Sequence, residues 1–333
     1  MKFPFLIKTD CMKSYHFVFL ALAMLTIASC QKPKPLTGWR YSEDVHVAVD
    51  ETFQPIMDEE LQTFGLHHVE AGLHPTYCSE DSAIRMLLMD SIRCCVVTRT
   101  LTDEEKEYIR SHKLGLQWAQ IATDALALIT NKENTDSLIT VDEIKGIVTG
   151  KITQWEQLRN SKKKGKLSLV FDHSGSSTVR YMRDSLCNGE PLKGNLYAQG
   201  TNLAVIEAVK NDPSVIGVVG ANWLKEQKAA VLHDFSNLDV LVMKVSKDKD
   251  EDPVGFRPYQ YRIATADYPL LRSVYVMTTD PRRDSNVRLF YFFLKGSKGQ
   301  VIICNSSQML PMAPVQVKSV SITCLLYTSP SPR

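Results

Sequence analysis

One segment of the sequence gathers side chains suited to binding an anion: Asp172-His173-Ser174-Gly175-Ser176-Ser177-Thr178-Val179-Arg180. An apolar strand pattern precedes this segment and a helical pattern follows it. Four hydroxyl side chains therefore lie where free backbone N–H groups and the positive end of a helix dipole converge. This arrangement suits an oxyanion and requires no metal. A simple Ser/Thr helix cap is the alternative, and it explains one hydroxyl better than four.

Hydrogen bonds alone supply enough free energy for such a site. Each hydrogen bond to a charged group contributes roughly 1.5–3 kcal/mol net, and micromolar binding requires about 8 kcal/mol. A handful of bonds from two domains is therefore sufficient after the costs of ordering the ligand and side chains.

Two enzymatic interpretations find little support in the sequence. His173 lies next to Ser174, but no G-x-S-x-G motif surrounds this serine, and adjacent residues rarely face each other as nucleophile and base. His67, His68 and Glu70 form a cluster of metal-ligating types, yet adjacent histidines on a strand point to opposite faces. No Cys/His spacing typical of zinc sites recurs. We therefore expect no catalytic activity, no metal and no other cofactor.

Alternating strand and helix patterns between about Gly38 and Thr323 indicate an α/β fold. Apolar runs predict strands over Val45–Val49, Cys94–Val97, Ile121–Ile129, Lys166–Phe171, Val215–Val219, Leu238–Val245 and Val274–Thr278. Helical spacing predicts helices over Glu51–Phe64, Ser82–Asp90, Asp103–Arg110, Val141–Thr149, Ser176–Leu186, Asn202–Asn211 and Ser285–Lys295.

The two ends of the sequence are predicted to lie outside this fold. Residues 1–30 carry basic residues and the eleven-residue apolar run Phe17–Ile27, which fits an export signal and is too short to span a bilayer. The run Ile27-Ala28-Ser29-Cys30 resembles the lipobox of bacterial lipoproteins and predicts lipidation of Cys30, with an ordinary signal peptide as the alternative. Residues 31–42 read as a tether, and residues 324–333 as a non-native tail.

Composition narrows the class of protein further. The 333 residues are 44% hydrophobic and 23% charged, values typical of a globular protein with room for two domains. The formal net charge of +2 argues against a nucleic-acid partner. The densest basic cluster, Lys162–Lys166, has no interleaved aromatic residues and reads as a solvated loop.

Several stretches resemble the phosphate-binding protein of bacterial ABC phosphate importers, in its lipoprotein form. Ser176-Ser177-Thr178 takes the place of the Ser-Gly-Thr that opens the family's phosphate-binding helix. The other similar stretches are Thr123–Asn131, Leu138–Trp155, Pro213–Gly220, Tyr268–Arg272 and Phe290–Ile303. Together they cover nearly all of the predicted mature chain.

The resemblance implies a type 2 periplasmic binding protein. Such a protein has two α/β lobes, two crossing hinge segments and a ligand cleft between the lobes. We expect residues 43–121 and 238–323 to form the first lobe and residues 122–237 the second. The implied function is an exported, monomeric lipoprotein of the periplasm or cell surface that delivers phosphate to a permease in the inner membrane. A sensor or scavenging lipoprotein without a permease is the alternative, since both would use the same pocket.

The resemblance also implies the ligand-binding residues. They are Thr52, Phe53, Ser79, Thr98, Arg99, Ser176, Ser177, Thr178 and Arg180. Two positions depart from the family pattern. Thr98, with Arg99 beside it, stands where the family often has the aspartate that accepts the proton of hydrogen phosphate. Asp172 stands near the usual arginine, whose donors Arg99 or Arg180 would replace. Phosphate and other oxyanions therefore both remain candidates.

Overall fold

The computed structural model describes residues 44–159, 161–224, 235, 238–248 and 253–313. The predicted signal peptide, Cys30, the tether and the C-terminal tail lie outside the described residues. Within the described residues, no helix combines the length and apolar character that a membrane span requires.

The first part of the chain alternates strands and helices. In chain order these elements are β1 (Val45–Asp50), α1 (Gln54–His67), β2 (Leu73–Cys78), α2 (Glu80–Leu88), β3 (Cys94–Val97) and α3 (Asp103–Ser111). Strand β1 pairs in parallel with β2 and β3, and β3 is buried along its whole length, as expected for an apolar run in a sheet covered on both faces. A 3-10 turn, Glu51–Phe53, joins β1 to α1.

The strand β4 (Gln117–Asn131) links two groups of strands. Its first half pairs with β11 (Leu271–Thr278) and its second half with β8 (Val215–Gly220). The sequence predicts a shorter strand, Ile121–Ile129, because Gln117–Gln120 and Thr130–Asn131 lie outside the apolar run. Asp124, a polar residue inside that run, proves to be part of the candidate site described below.

The middle of the chain builds a second sheet on β4. After β4 follow β5 (Leu138–Thr140), α4 (Val141–Val148), β6 (Ser168–Phe171), α5 (Ser177–Tyr181), β7 (Leu196–Ala198), α6 (Asn202–Asn211) and β8. Strand β6 runs parallel to both β7 and β8. A single π-helical turn, Met182–Leu186, continues α5 without a break.

The last part of the chain returns to the first sheet. It contains β9 (Val240–Val242), β10 (Lys244–Ser246), α7 (Gln260–Ala264), β11, α8 (Asn286–Lys295), α9 (Ser297–Ser306) and β12 (Leu310–Pro311). The strand order is β2-β1-β3-β11-β4 on one side of β4 and β4-β8-β6-β7 on the other. Each side has its own buried apolar core, around Phe53 and Phe290 on the first side and around Trp155 and Tyr268 on the second.

The pairing of the short returning strands bears on the lobe limits. Strand β9 pairs with the second half of β4, and β10 pairs with β5. Tyr268 and Leu270 also belong to the core of the second side. These contacts indicate that the chain passes back into the first lobe later than residue 238, the position that the sequence analysis predicts. We therefore propose that the chain re-enters the first lobe at the start of β11.

Several short elements carry no clear sequence pattern. Strand β2 lies at the sheet edge, is largely exposed and contains Pro75, so it lacks the apolar alternation of a half-buried strand. Helix α9 follows α8 directly after Gly296, and no sequence signal separates its start from the end of α8. By contrast, β3 and α6 have the limits that the sequence predicts.

Candidate functional site

Buried polar side chains gather where the parallel strands of the two sheets end. The carboxyl ends of β1, β3, β6 and β8 lead into these residues, which is the usual location of a ligand in an open α/β sheet. We call this group the cleft cluster. It consists of Asp50, Glu51, Thr52, Glu80, Thr98, Asp124, Asp172, Ser176, Ser177, Thr178, Arg180, Asn202, Asn222 and Arg272. All except Glu51 and Arg180 are less than 9% exposed.

The turn after β1 holds Thr52 in a fixed position. The backbone N–H of Thr52 donates to the Asp50 carboxylate at 3.0 Å. From the other sheet, Asn222 Nδ2 and Trp223 Nε1 both donate to the carbonyl of Thr52, at 3.0 and 2.7 Å. The Thr52 hydroxyl itself is fully buried and has no hydrogen-bond partner among the described residues. Its donor and acceptor capacity is therefore available to a ligand.

The three hydroxyl residues at the start of α5 differ in their hydrogen-bond partners. Ser176 caps α5 by accepting a hydrogen bond from the Val179 N–H at 3.2 Å. Ser177 accepts a hydrogen bond from Arg272 Nη1 at 2.8 Å. The Thr178 hydroxyl is fully buried and has no partner among the described residues. Of the three predicted donors, only Thr178 has a hydroxyl that no described residue engages.

A buried arginine that the sequence prediction missed completes this group. Arg272 Nε and Nη2 both lie 2.9 Å from Asp124 Oδ2, and the guanidinium lies 5.1 Å from the centre of the Phe53 ring. Phe53 thus forms a cation–π contact with the guanidinium and offers no hydrogen bond. Nη2 forms no hydrogen bond of acceptable geometry, so it retains a free donor. The signal in the sequence was Asp124 inside the predicted strand Ile121–Ile129 and Arg272 just before the predicted strand Val274–Thr278, since a buried charge needs a partner.

A second arginine connects the two sheets. Arg180, from α5, contacts Glu80 at the start of α2 and donates to Thr98 Oγ1 at 2.6 Å. The hydroxyl and the N–H of Thr98 both donate to Glu80 Oε1, each at 2.6 Å. The predicted ligand residues Thr98 and Arg180 are therefore brought together, but each is already engaged by Glu80.

Ser79 and Arg99 have other partners. Ser79 caps α2, and its hydroxyl donates to Ser82 Oγ at 2.8 Å. Arg99 donates to the two carboxylate oxygens of Glu105 at 2.8 and 2.9 Å. Because Glu105 also completes the capping box of α3 with Thr102, Arg99 is tied to that helix. The ligand roles of Ser79 and Arg99 stay predictions.

Thr52 and Arg272 lie close to each other beside Gly220. A Cβ atom placed on Gly220 would lie 2.8 Å from Thr52 Cγ2 and 3.4 Å from Arg272 Nη2. Ser177, which binds Arg272, precedes Thr178 in the helix start of the second sheet. The Thr52 and Thr178 hydroxyls thus have no hydrogen-bond partner among the described residues, and Arg272 Nη2 contacts Asp124 as an ion pair without a hydrogen bond. This set can bind an anion with several oxygen atoms.

The charge of the cleft cluster is negative. Five carboxylates (Asp50, Glu51, Glu80, Asp124 and Asp172) face two guanidiniums (Arg180 and Arg272), which leaves three formal negative charges. Burial raises the pKa of Asp50, and the nearby Arg272 opposes this shift. Burial also raises the pKa of Glu51, with Asp172 and Asp50 adding to the rise. Protons or another cation near these carboxylates would favour the binding of an anion here.

The residues considered for enzymatic chemistry do not form a catalytic arrangement. Ser174 is exposed and no described hydrogen bond joins it to His173. His67 ends α1 and His68 follows it, and no group of three metal-ligating side chains among the described residues includes either one.

Comparison with known proteins places the chain among binding proteins. The sequence profile of the PBP superfamily domain matches residues 37–293. The chain is similar to the phosphate-binding protein PstS of Staphylococcus aureus, with 22% identity over 253 residues that cover 75% of this chain and 73% of the relative.

Two solved structures resemble the described fold. An ABC-type phosphate transport receptor from Vibrio cholerae matches with a TM-score of 0.57 and 19% identity, covering 78% of this chain and 97% of that chain. A phosphate binding protein from Stenotrophomonas maltophilia matches with a TM-score of 0.60 and 15% identity, covering 81% of this chain and 91% of that chain. The predicted two-lobed α/β fold is thereby confirmed.

Proposed function

This chain belongs to the PBP superfamily, and from that premise we propose that it captures inorganic phosphate in the cleft between its two lobes. The observation that carries the proposal is a set of buried donors without a hydrogen-bond partner among the described residues: Thr52 Oγ1, Thr178 Oγ1 and Arg272 Nη2, the last of which is ion-paired with Asp124. A buried polar atom without a hydrogen bond costs roughly 1–3 kcal/mol, so several of them gathered around one cleft support a ligand site there. The similarity to a phosphate-binding protein supports phosphate as the anion.

Each donor contributes through a different element of the fold. Thr52 belongs to the turn after β1, Thr178 to the helix start after β6, and Arg272 to β11. A ligand that bonds to all three therefore holds the two lobes together, as hinge closure requires. Three hydrogen bonds to a charged ligand supply on the order of 5–9 kcal/mol before ordering costs, which covers the roughly 4 kcal/mol of millimolar binding and reaches the roughly 8 kcal/mol of micromolar binding only at its upper limit.

The same cluster offers a basis for preferring phosphate over sulfate. Near neutral pH phosphate carries a hydroxyl proton, and sulfate does not. Asp50 is fully buried beside Ser177 and Arg272, and its carboxylate can accept that proton in a hydrogen bond. Asp50 would thereby replace the aspartate that the family often has at the position of Thr98.

Further parts of the proposal concern location and partners. The lipobox-like run before Cys30 supports a lipid anchor, and the export signal supports a place outside the cytoplasm. The relatives named as transport receptors support delivery of phosphate to an ABC permease in the inner membrane. We propose that the protein acts as a monomer and carries out no catalysis.

Calorimetric titration tests the proposed ligand. The full chain, purified in mild detergent, is titrated with phosphate, arsenate and sulfate at pH 7. Saturable binding of phosphate and arsenate is expected, with sulfate at least tenfold weaker. Sulfate binding as tight as phosphate binding would contradict the role of Asp50. No binding of any of the three anions would contradict the proposed function.

A further inference from the structure

Two members of the cleft cluster, Glu51 and Asp172, form a group of three metal-ligating side chains with the neighbouring His173. One carboxylate oxygen of Glu51, one of Asp172 and one ring nitrogen of His173 all lie within 4.8 Å of one another. We propose that these residues bind one divalent first-row transition-metal cation, and that this cation helps to hold the oxyanion. The coupling to the oxyanion rests on the proposed function, whereas the metal site itself does not.

Asp172 is the first observation that supports a cation. Its side chain is fully buried, and neither carboxylate oxygen has a hydrogen-bond partner among the described residues. The other fully buried aspartates differ from it, because Asp50 accepts from the Thr52 N–H and Asp124 pairs with Arg272. An unpaired buried carboxylate costs several kcal/mol, so it is normally paired, protonated or coordinated to a metal.

Asn202 is a second and independent observation. Its Nδ2 donates to Glu51 Oε2 at 2.6 Å, while its fully buried Oδ1 has no partner among the described residues. An amide carbonyl oxygen is an ordinary ligand for divalent cations. The position of Glu51 at the N-terminus of α6 is explained by the helix dipole alone. The helix dipole leaves Asp172 and the Asn202 oxygen unexplained, and a cation accounts for both.

The ligand types indicate the class of metal. Carboxylate oxygens together with one imidazole nitrogen suit Zn²⁺ or Mn²⁺ better than Mg²⁺ or Ca²⁺, which favour oxygen ligands alone. A divalent cation would also offset most of the three formal negative charges of the cleft cluster.

A second group, Asp44, His46 and His74, serves as a matched control. His46 lies on β1 and His74 on the edge strand β2, whereas Asp44 precedes β1, accepts a hydrogen bond from the Gly72 N–H at 2.9 Å and pairs with His74. This group has the same types of ligand atom but no buried atom without a partner. Replacing its histidines therefore tests whether any His/Asp group on this protein binds metal.

Metal titration of the full chain tests the site. The purified protein is stripped with a chelator, exchanged into phosphate-free buffer and titrated with Zn²⁺, Mn²⁺ and Ca²⁺ by calorimetry. Asp172→Asn and His173→Gln are each expected to remove one equivalent of Zn²⁺ or Mn²⁺ binding, or to weaken it at least tenfold. His46→Gln/His74→Gln is expected to retain that equivalent. His173 is partly exposed, so its replacement keeps the test valid if Asp172→Asn impairs folding.

Phosphate titrations with and without Zn²⁺ test the coupling. Phosphate is expected to bind at least tenfold more tightly in the presence of Zn²⁺, and phosphate should tighten Zn²⁺ binding by the same factor. Unchanged metal binding in both Asp172→Asn and His173→Gln would overturn the site. Equal phosphate affinity with Zn²⁺ and with chelator would overturn the coupling and leave the proposed function standing. Metal binding without any phosphate binding would support the site and count against the proposed function.

Discussion

Replacing Thr178 with valine isolates the contribution of one buried donor. The substitution nearly preserves the shape of the side chain and removes a hydroxyl that is fully buried and has no partner among the described residues. The lost hydrogen bond to a charged ligand is worth roughly 1.5–3 kcal/mol, which raises the phosphate Kd by roughly 10- to 150-fold. In the absence of phosphate, the free energy of unfolding should rise by about 1 kcal/mol, because a buried hydroxyl without a partner is destabilising.

The opposite signs of these two effects make the prediction specific. Calorimetry gives the phosphate Kd, and urea denaturation in phosphate-free buffer gives the free energy of unfolding. Thr278→Val is the matched control, because Thr278 is also buried but donates to the carbonyl of Arg93 at 2.8 Å. This control should lose roughly 1–3 kcal/mol of stability and keep its phosphate Kd. A Thr178→Val protein with unchanged Kd and reduced stability would refute the assignment of Thr178 as a ligand donor.

Three further predictions follow from the structure. Glu60 is fully buried, has no hydrogen-bond partner among the described residues, and burial raises its pKa to about 9. The free energy of unfolding should therefore fall as pH rises from about 4.5 to about 9, because in that range Glu60 ionises only in the unfolded chain. Glu60→Leu should remove this fall and stabilise the protein at pH 7 by on the order of 2–3 kcal/mol. Denaturation curves give the stability of both proteins at each pH, and the same pH dependence in both would show that Glu60 is not its cause. Gly220→Ala should weaken phosphate binding at least tenfold, because the new Cβ would lie 2.8 Å from Thr52 Cγ2, whereas Gly115→Ala, with nothing within 4 Å, should bind normally. Cys30→Ala should move the protein from the membrane fraction to the soluble fraction without changing its phosphate Kd, and a variant that stays in the membrane fraction would exclude the lipid anchor.

The sequence predicts the elements that hold the site better than the contacts within it. The limits of β3 and α6 agree with the predicted ones because an uninterrupted apolar run and a clear helical spacing mark them. The helix starts that carry Thr52 and Thr178 were also predicted, since each follows a strand pattern, although the structure forms a 3-10 turn over Glu51–Phe53. Patterns of this kind depend on residues that are close together in the chain, so the sequence shows them directly.

Contacts between distant residues decided the rest of the site. Which hydroxyl of Ser176, Ser177 and Thr178 stays available depends on Arg272, which follows Ser177 by 95 positions. Arg99 was predicted to bind the ligand, which stays a prediction. In the structure it pairs with Glu105, which also forms the capping box of α3 with Thr102. The pair Asp124 and Arg272 gave a partial signal, because Asp124 lies inside a predicted apolar strand and Arg272 lies just before another. Only the sheet register shows that these two charges meet.

Locating the bound anion tests the central claim most directly. The full chain is crystallised with arsenate, and the anomalous signal of arsenic marks the site without reference to the surrounding side chains. The arsenate oxygens are expected within about 3 Å of Thr52 Oγ1, Thr178 Oγ1 and Arg272 Nη2. An arsenic peak only at the basic loop Lys162–Lys166, or elsewhere on the surface, would contradict the assignment of the cleft cluster as the ligand site.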